Sequence, residues 1–321
     1  SSFLKKLLLI IAFFCVSKSS LQAQCVEIES LLVAACTQIP DTEGQNEMIR
    51  FKVGPNPLNT NNLSVEWPSS TFWGGTVLNP TKVSILNANI DAAGGCGNLF
   101  EPVNNILPAN ASVILITSHL FDTNANSFGA LSEDTYIIFH NSTQTAGYLT
   151  NNFGTNNIMR TVKIKFGNTC SDTVVYNKTL LSTNPGATVN FTPSGTPTYV
   201  INGCSAPVQP FTVDAGPVSV SACAGETLNF TGTAVGHQSV QWSATQGTFS
   251  SANTLATSYT IPTTAVGTIA VILTATNSCG ATVTDTITIT VTASTTPTFS
   301  LPSVLCNGQT APALPAQSNN G

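Results

Sequence analysis

Residues 282–291 read Thr-Val-Thr-Asp-Thr-Ile-Thr-Ile-Thr-Val, in which threonine alternates with a second series of residues that is almost entirely apolar. Successive side chains of a β-strand point to opposite faces of the sheet. This two-residue period therefore predicts a strand with threonine toward solvent and isoleucine and valine toward a core. Asp285 is the one polar residue of the apolar series and falls near the start of the strand.

Other strand-like runs precede this segment and are separated from it by turn-forming residues. They are Val218–Val220, Thr227–Phe230, Val240–Ser243, Ser258–Ile261 and Thr268–Thr276. Together with residues 282–291 they predict a domain of about seven strands over residues 213–293.

The same segment holds Cys223, Trp242 and Cys279 in that order. This order resembles an immunoglobulin-like sandwich, in which a tryptophan packs near a disulfide that joins the two sheets. The resemblance implies a Cys223–Cys279 disulfide, whose long loop would remove about 4 kcal/mol of unfolded-state entropy. The alternative is that the two cysteines pair elsewhere.

Residues 25–212 show a second set of strand-like runs between loops rich in Asn, Gly and Pro. The runs are 26–33, Met48–Val53, Val83–Leu86, Ser112–Thr117, Thr135–Phe139, Arg160–Phe166 and Thr173–Tyr176. No segment shows helical periodicity over more than two turns. The sequence thus predicts an all-β protein of tandem Ig-like β-sandwich domains after a signal peptide.

Charge is scarce and uneven along the chain. Only 8% of the 321 residues are charged, and no Lys or Arg follows Lys178. Nucleic-acid binding requires several cations that replace the counterions of the phosphates. The composition therefore disfavours nucleic acid as a partner, and anionic membrane surfaces for the same reason.

Residues 1–24 are typical of a secretory signal peptide. Lys5 and Lys6 supply the positive region, Leu7–Val16 the apolar region, and Leu21–Gln24 a small-residue cleavage zone. Ten apolar residues are too few to span a bilayer, and no other stretch approaches the required length. We expect a secreted or outer-membrane cell-surface location with no transmembrane segment after signal removal.

Eight cysteines remain once the signal peptide is removed, and no CxxC motif or nearby histidine points to zinc. In an exported chain the default is disulfide bonding. Residues 25–212 contain five of them, Cys25, Cys36, Cys96, Cys170 and Cys204. Their pairing is not determined by the sequence, but because five is odd, at least one is free or bonds outside the first domain.

Several motifs resemble large Bacteroidetes (Flavobacterium-type) exported surface proteins. In the first domain they are Leu31–Cys36, Glu43–Phe51, Leu63–Pro68, Cys170–Val174 and Asn202–Cys204, and in the second Asp214–Pro217 and Thr276–Gly280. The resemblance implies a lamin-tail-like sandwich over 25–212 and a PKD/Ig-like domain over 213–293. Residues 294–321 are interpreted as the truncated start of a further Ig-like repeat, because Phe299–Thr310 echoes Val218–Thr227. Members of this class are associated with type IX secretion and gliding motility.

Residues with catalytic or ligand-binding chemistry are few. No GxSxG elbow accompanies the three histidines, which we expect at the surface or at strand ends. Asp41, Glu43 and Glu47 could offer oxygens to Ca²⁺, although EF-hand spacing is absent and a solvated loop is the simpler interpretation. Phe72 and Trp73 could stack on a sugar or be buried in the core. No catalytic residue, cofactor or other metal site is predicted.

The sequence therefore favours a non-catalytic exported surface protein, an adhesin or stalk built of Ig-like modules. Its expected partners are the export machinery and an extracellular surface or glycan. The alternative is an accessory arm, which could bind carbohydrate, of a secreted hydrolase whose catalytic domain lies beyond residue 321.

Overall fold

The computed structural model describes residues 24–149 and 158–292. The predicted signal peptide apart from Gln24, and the predicted repeat onset at 294–321, lie outside the described residues. By its internal contacts the chain divides into two units. Among the described residues, the first contains 24–93, Asn98–Gly129, 134–149 and 158–208, and the second contains Gly94–Gly97, Ala130–Glu133 and 209–292.

The first unit is built mainly of strands, as predicted. They are β1 (Val26–Ala34), β2 (Met48–Val53), β3 (Leu58–Asn59), β4 (Leu63–Glu66), β5 (Thr76–Val77), β6 (Leu99–Phe100), β7 (Ile106–Leu107), β8 (Ser112–Ile116), β9 (Thr135–His140), β10 (Met159–Phe166), β11 (Cys170–Asn177), β12 (Ala187–Phe191) and β13 (Pro197–Ile201). Short 3-10 helices cover Glu43–Gln45, Thr60–Asn62, Val103–Asn105 and Lys178–Leu180.

Two sheets enclose the core of this unit. The larger has the order β13-β12-β1-β2-β8-β9-β5, with β6 also paired to β9, and the smaller has the order β11-β10-β4. One buried cluster contains side chains from both sheets, such as Phe51 and Phe166, whose ring centroids lie 6.1 Å apart. Two sheets that share one core form a sandwich, which confirms the predicted fold class.

The prediction of a strand at Val83–Leu86 was wrong, because these residues lie in helix α1 (Pro80–Ala92). The Asn79 side chain caps the helix by accepting from the Lys82 amide, and Pro80 occupies the first turn. Val83, Leu86 and Ile90 are the buried residues, spaced as one helical face requires. The Asn-Pro start was the signal that pointed to a helix here.

The second unit contains nine strands among its described residues. They are β14 (Thr212–Asp214), β15 (Ser219–Cys223), β16 (Thr227–Thr231), β17 (Thr233–Val235), β18 (Ser239–Ala244), β19 (Thr248–Phe249), β20 (Ala256–Thr260), β21 (Gly267–Thr276) and β22 (Thr282–Thr292). Their sheets have the orders β15-β22-β21-β18, β16-β20-β19 and β14-β17.

Strand β22 shows the predicted two faces. Its threonines are exposed, whereas Ile287, Ile289 and Val291 are buried in the core that Trp242 shares. Asp285 is accommodated on the inner face because its carboxylate accepts a 2.8 Å hydrogen bond from the Ala215 amide. The alternation therefore predicted the strand correctly. Asp285, the one polar residue of its apolar series, holds the segment at Ala215 in place.

Three disulfides join Cys25 to Cys170, Cys36 to Cys204, and Cys96 to Cys279. The expectation that one of the first five cysteines is free or bonds outside residues 25–212 is confirmed by the third pair. Three disulfides indicate folding in an oxidising compartment such as the cell exterior. Within the described residues, no helix is both long enough and apolar enough to cross a membrane.

The predicted Cys223–Cys279 disulfide was wrong: Cys279 bonds Cys96, and Cys223 is an exposed thiol that bonds no cysteine within residues 24–149 and 158–292. Strand β15 pairs in parallel with β22, so Cys223 lies beside Thr292 at the end of β22, whereas Cys279 precedes its start. The length of β22 separates the two positions by about 30 Å at the usual rise of a strand. A disulfide requires Cα atoms within about 7 Å, so this pair cannot form.

Candidate functional site

The segment between β4 and β5 carries the exposed aromatic residues that the sequence singled out. Phe72 is 51% exposed and Trp73 is partly exposed. Trp67, at the start of the segment, is buried in the core of the first unit. The sequence left open whether Phe72 and Trp73 are exposed or buried in the core. Phe72 lies at the surface, whereas Trp73 is partly exposed and also packs against the core. We call Phe72 and Trp73 the aromatic platform.

His140, the last residue of β9, packs against both residues of the platform. Its ring stacks on Trp73 with centroids 4.6 Å apart and planes 7° apart, and it lies 5.6 Å from Phe72. Trp67 and Tyr148 surround the other sides of the imidazole, at 5.6 and 5.1 Å. The expectation of a surface or strand-end histidine is confirmed for His140, which ends its strand and is fully buried there.

Hydrogen bonds fix the position and the tautomer of His140. Nε2 accepts from the Gly74 amide at 3.0 Å, which leaves Nδ1 protonated and able to donate to the Thr117 carbonyl at 3.2 Å. Glycine is required at 74, since a Cβ there would lie 2.3 Å from the Asn141 carbonyl oxygen. The platform is thus tied directly to the end of β9.

Acidification tests this anchor. Burial lowers the pKa of His140 to about 4, and the nearby His119 acts in the same direction. The unfolded chain, with a histidine pKa of about 6.5, therefore takes up this proton first. The stabilising contribution is complete above pH 6.5 and falls toward pH 4, by up to about 1.4 kcal/mol per pH unit. Between pH 6.5 and 4 we therefore expect thermal melts to show that the wild type loses stability relative to a variant without His140.

The matched comparison for these melts is His140→Gln, which cannot titrate. Its stability should be lower than that of the wild type at pH 7, and the difference between the two proteins should shrink as the pH falls from 6.5 to 4. Burial raises the pKa of Glu47, so its titration makes stability rise as the pH falls. Because Glu47 is present in both proteins, this contribution cancels when their stabilities are subtracted. Parallel pH profiles for the two proteins would show that His140 is not the titrating anchor.

Glu47 holds the segment that carries Tyr148. Its carboxylate is buried, and one oxygen accepts from the Tyr148 amide at 2.6 Å and the Leu149 amide at 3.0 Å. Burial raises the pKa of Glu47, and these two amide donors oppose that rise. The Tyr148 hydroxyl in turn shares a 2.6 Å hydrogen bond with Ser142. Glu47 therefore acts in the structure as an internal anchor.

Asp41, Glu43 and Glu47, considered above as oxygen donors to Ca²⁺, do not converge on one site in this arrangement. Glu47 points inward to backbone amides, whereas Asp41 lies at an exposed turn with a φ of +60° and Glu43 opens a 3-10 helix. Among residues 24–149 and 158–292, no group of three or more His, Cys, Asp or Glu side chains could hold a metal ion.

A cleft of about 770 Å³ is lined by Glu66, Trp67 and Pro68 together with residues 158–161. Glu66 makes a 2.7 Å ion pair with Lys165, which lowers the pKa of the Glu66 carboxyl. Trp67, one of the residues that line the cleft, packs beside Trp73 of the platform, with ring centroids 6.2 Å apart.

The platform residues could be predicted from the sequence, whereas the residues that support them could not. Phe72 and Trp73 are adjacent in sequence and were identified as a pair. His140, Glu47 and Tyr148 come from distant positions, and nothing in their local sequence indicates that they meet. The Gly-Gly that follows Trp73 was the one available signal of a close backbone approach.

No family model matches this chain, and no curated protein does. Solved structures give weak matches. Fibronectin(III)-like modules of Clostridium thermocellum CbhA match at 14% identity over 42% of this chain and 86% of theirs, with a TM-score of 0.20. The Bacteroides ovatus mixed-linkage glucan utilization locus protein SGBP-B, solved with a heptasaccharide, matches at 13% identity over 45% of this chain and 57% of its own, with a TM-score of 0.18.

A nucleoside hydrolase-related hypothetical protein from Saccharophagus degradans matches at 19% identity over 23% of this chain, with a TM-score of 0.21. This chain spans 22% of that protein's length. TM-scores of this size carry no argument about function, which must be taken from the residues themselves.

Proposed function

We propose that this chain is a non-catalytic, exported binding arm whose first unit engages a glycan through the aromatic platform of Phe72 and Trp73. The observation that carries the proposal is the pairing of a half-exposed phenylalanine with a tryptophan that is stacked on a buried histidine. Binding sites commonly place aromatic side chains on rigid supports, so that little conformational freedom is lost on binding.

The chemistry of the platform suits a sugar ring. The apolar face of a pyranose can lie on an aromatic face, while its hydroxyls need hydrogen-bonding partners around the rim. The cleft lined by Trp67 offers one such partner in the Glu66 carboxylate, which is paired with Lys165.

The finer assignment follows from the sequence. We propose a location at the outer-membrane cell surface or in the secreted fraction, in a Bacteroidetes-type protein that uses type IX secretion. The lamin-tail-like and PKD/Ig-like identities of the two modules belong to the same proposal. In that setting the arm would serve as an adhesin or stalk, and the same site would serve an accessory arm of a secreted hydrolase.

Alanine substitution in the platform tests glycan binding. We expect the wild type to bind members of a broad glycan array, and Phe72→Ala and Trp73→Ala each to weaken that binding at least tenfold, which is about 1.4 kcal/mol. Phe100→Ala is the matched control, because Phe100 is also a phenylalanine at the surface of the first unit, 43% exposed, and lies outside the platform. Its binding should equal that of the wild type.

Two outcomes would contradict the proposal. The first is the absence of binding by the wild type across the array. The second is binding that Phe72→Ala and Trp73→Ala leave unchanged while both variants keep the wild-type circular dichroism spectrum, since the glycan contact would then lie elsewhere.

A further inference from the structure

The disulfides define a covalent route through the chain that is much shorter than the backbone. The backbone runs from Cys25 to Cys96, and the disulfide then leads directly to Cys279, which is 183 positions further along the sequence. Only the turn before β22 and β22 itself separate Cys279 from Thr292. The route therefore omits residues 97–278, which include β6 to β21.

The position of Cys279 makes this route mechanically direct. Cys279 lies in the turn that connects β21 to β22, and the Asn277 carboxamide oxygen accepts from the Cys279 amide at 3.0 Å and from the Ala281 amide at 2.9 Å. Asn277 is itself buried, which holds the turn in place. Tension that arrives at Cys279 passes straight into β22, a strand that is already close to full extension.

Without the Cys96–Cys279 bond the load would take another path. It would reach the strands of the second unit along the backbone through Gln209 and leave them after Thr292. Because β15 and β22 pair in parallel from Ser219↔Thr288 to Cys223↔Thr292, a pull on the two ends of the unit would shear these strands past each other. The sandwich around Trp242 would then bear the force.

We propose that Cys96–Cys279 is a mechanical bypass, which carries tension through β22 alone and around the other folded strands of the second unit. With the bond formed, the chain between Cys25 and Thr292 can extend to no more than about 300 Å, against about 960 Å for the fully reduced chain. A biological use for the bypass rests on the proposed function at the cell surface. The covalent route itself rests only on the Cys96–Cys279 disulfide.

Single-molecule force spectroscopy on the mature chain, pulled from its two ends under oxidising conditions, tests the bypass. In the wild type, the rupture forces should not depend on the stability of the second unit, so that Trp242→Phe leaves them unchanged. In the Cys96→Ser/Cys279→Ser variant, the second unit should unfold as a separate event, and Trp242→Phe should lower its rupture force. Cys223→Ser, which removes the free thiol, should behave as the wild type does.

Two results would overturn the bypass. One is a rupture force in the oxidised wild type that falls with Trp242→Phe. The other is an oxidised wild type that extends between Cys25 and Thr292 well past the limit set by the covalent route. If the serine variant fails to fold, stepwise addition of a reductant to the wild type gives the same comparison on one chain. Loss of glycan binding by the platform variants bears on the proposed function and leaves this test unaffected.

Discussion

Removing both Cys25–Cys170 and Cys36–Cys204 is expected to lower the free energy of unfolding of the first unit by about 9 kcal/mol. The two bonds are nearly parallel links, because Cys36 follows Cys25 closely along the chain and Cys204 follows Cys170. While one bond remains, the other closes a loop of only about 45 residues, so the first removal costs about 4 kcal/mol. The second removal opens a loop that spans a sequence separation of at least 145 and costs about 5 kcal/mol.

This loss compares with a total stability of about 5–15 kcal/mol for a typical domain. Urea unfolding followed by circular dichroism should therefore give two single-pair serine variants of similar stability and a four-serine variant that is unfolded or nearly so. Cys223→Ser is the control, because Cys223 is exposed and unbonded. A four-serine variant that keeps most of the wild-type stability would show that loop closure does not determine the stability of this unit.

Trp242→Ala is expected to destabilise the second unit by about 3–5 kcal/mol. Trp242 is 2% exposed, its ring stacks on Phe230 at 5.8 Å, and its indole N–H donates to the Thr254 carbonyl at 2.9 Å. Alanine would leave a cavity between the two sheets and a carbonyl without its donor. Hydrogen exchange should accelerate by at least a hundredfold in peptides from β18, β21 and β22.

Trp242→Phe is the matched variant, since it retains an aromatic ring and loses the N–H donor. The second unit should lose less stability in Trp242→Phe than in Trp242→Ala. In both variants, hydrogen exchange in β1, β2 and β8 of the first unit should stay at the wild-type rate. Unchanged exchange in the second unit of Trp242→Ala would contradict the assignment of Trp242 as the centre of that core.

Local periodicity predicted much of the fold. Residues 282–291 and 48–53 alternate cleanly, and both form strands. In β22 the two predicted faces are also present, with threonine exposed and isoleucine buried. The helix was missed because Val83 and Leu86 also fit a short strand, while the capping Asn79 and Pro80 decided the outcome.

Long-range pairing could not be predicted in the same way. The Cys223–Cys279 prediction depended on a resemblance in spacing, but the direction of β15 along β22 decides which end Cys223 reaches. Parallel pairing is a tertiary property with no signature in either strand. The same limit explains why Phe72 and Trp73 were identified from adjacent residues whereas His140, their support, was not.

Peptide mapping of the oxidised protein by mass spectrometry tests the covalent framework that underlies the stability predictions and the mechanical bypass. Digestion without reduction should give linked peptides for Cys25–Cys170, Cys36–Cys204 and Cys96–Cys279, with Cys223 recovered as a thiol that alkylates before denaturation. A linked Cys223–Cys279 peptide, with Cys96 alkylated instead, would contradict both the parallel pairing of β15 with β22 and the bypass.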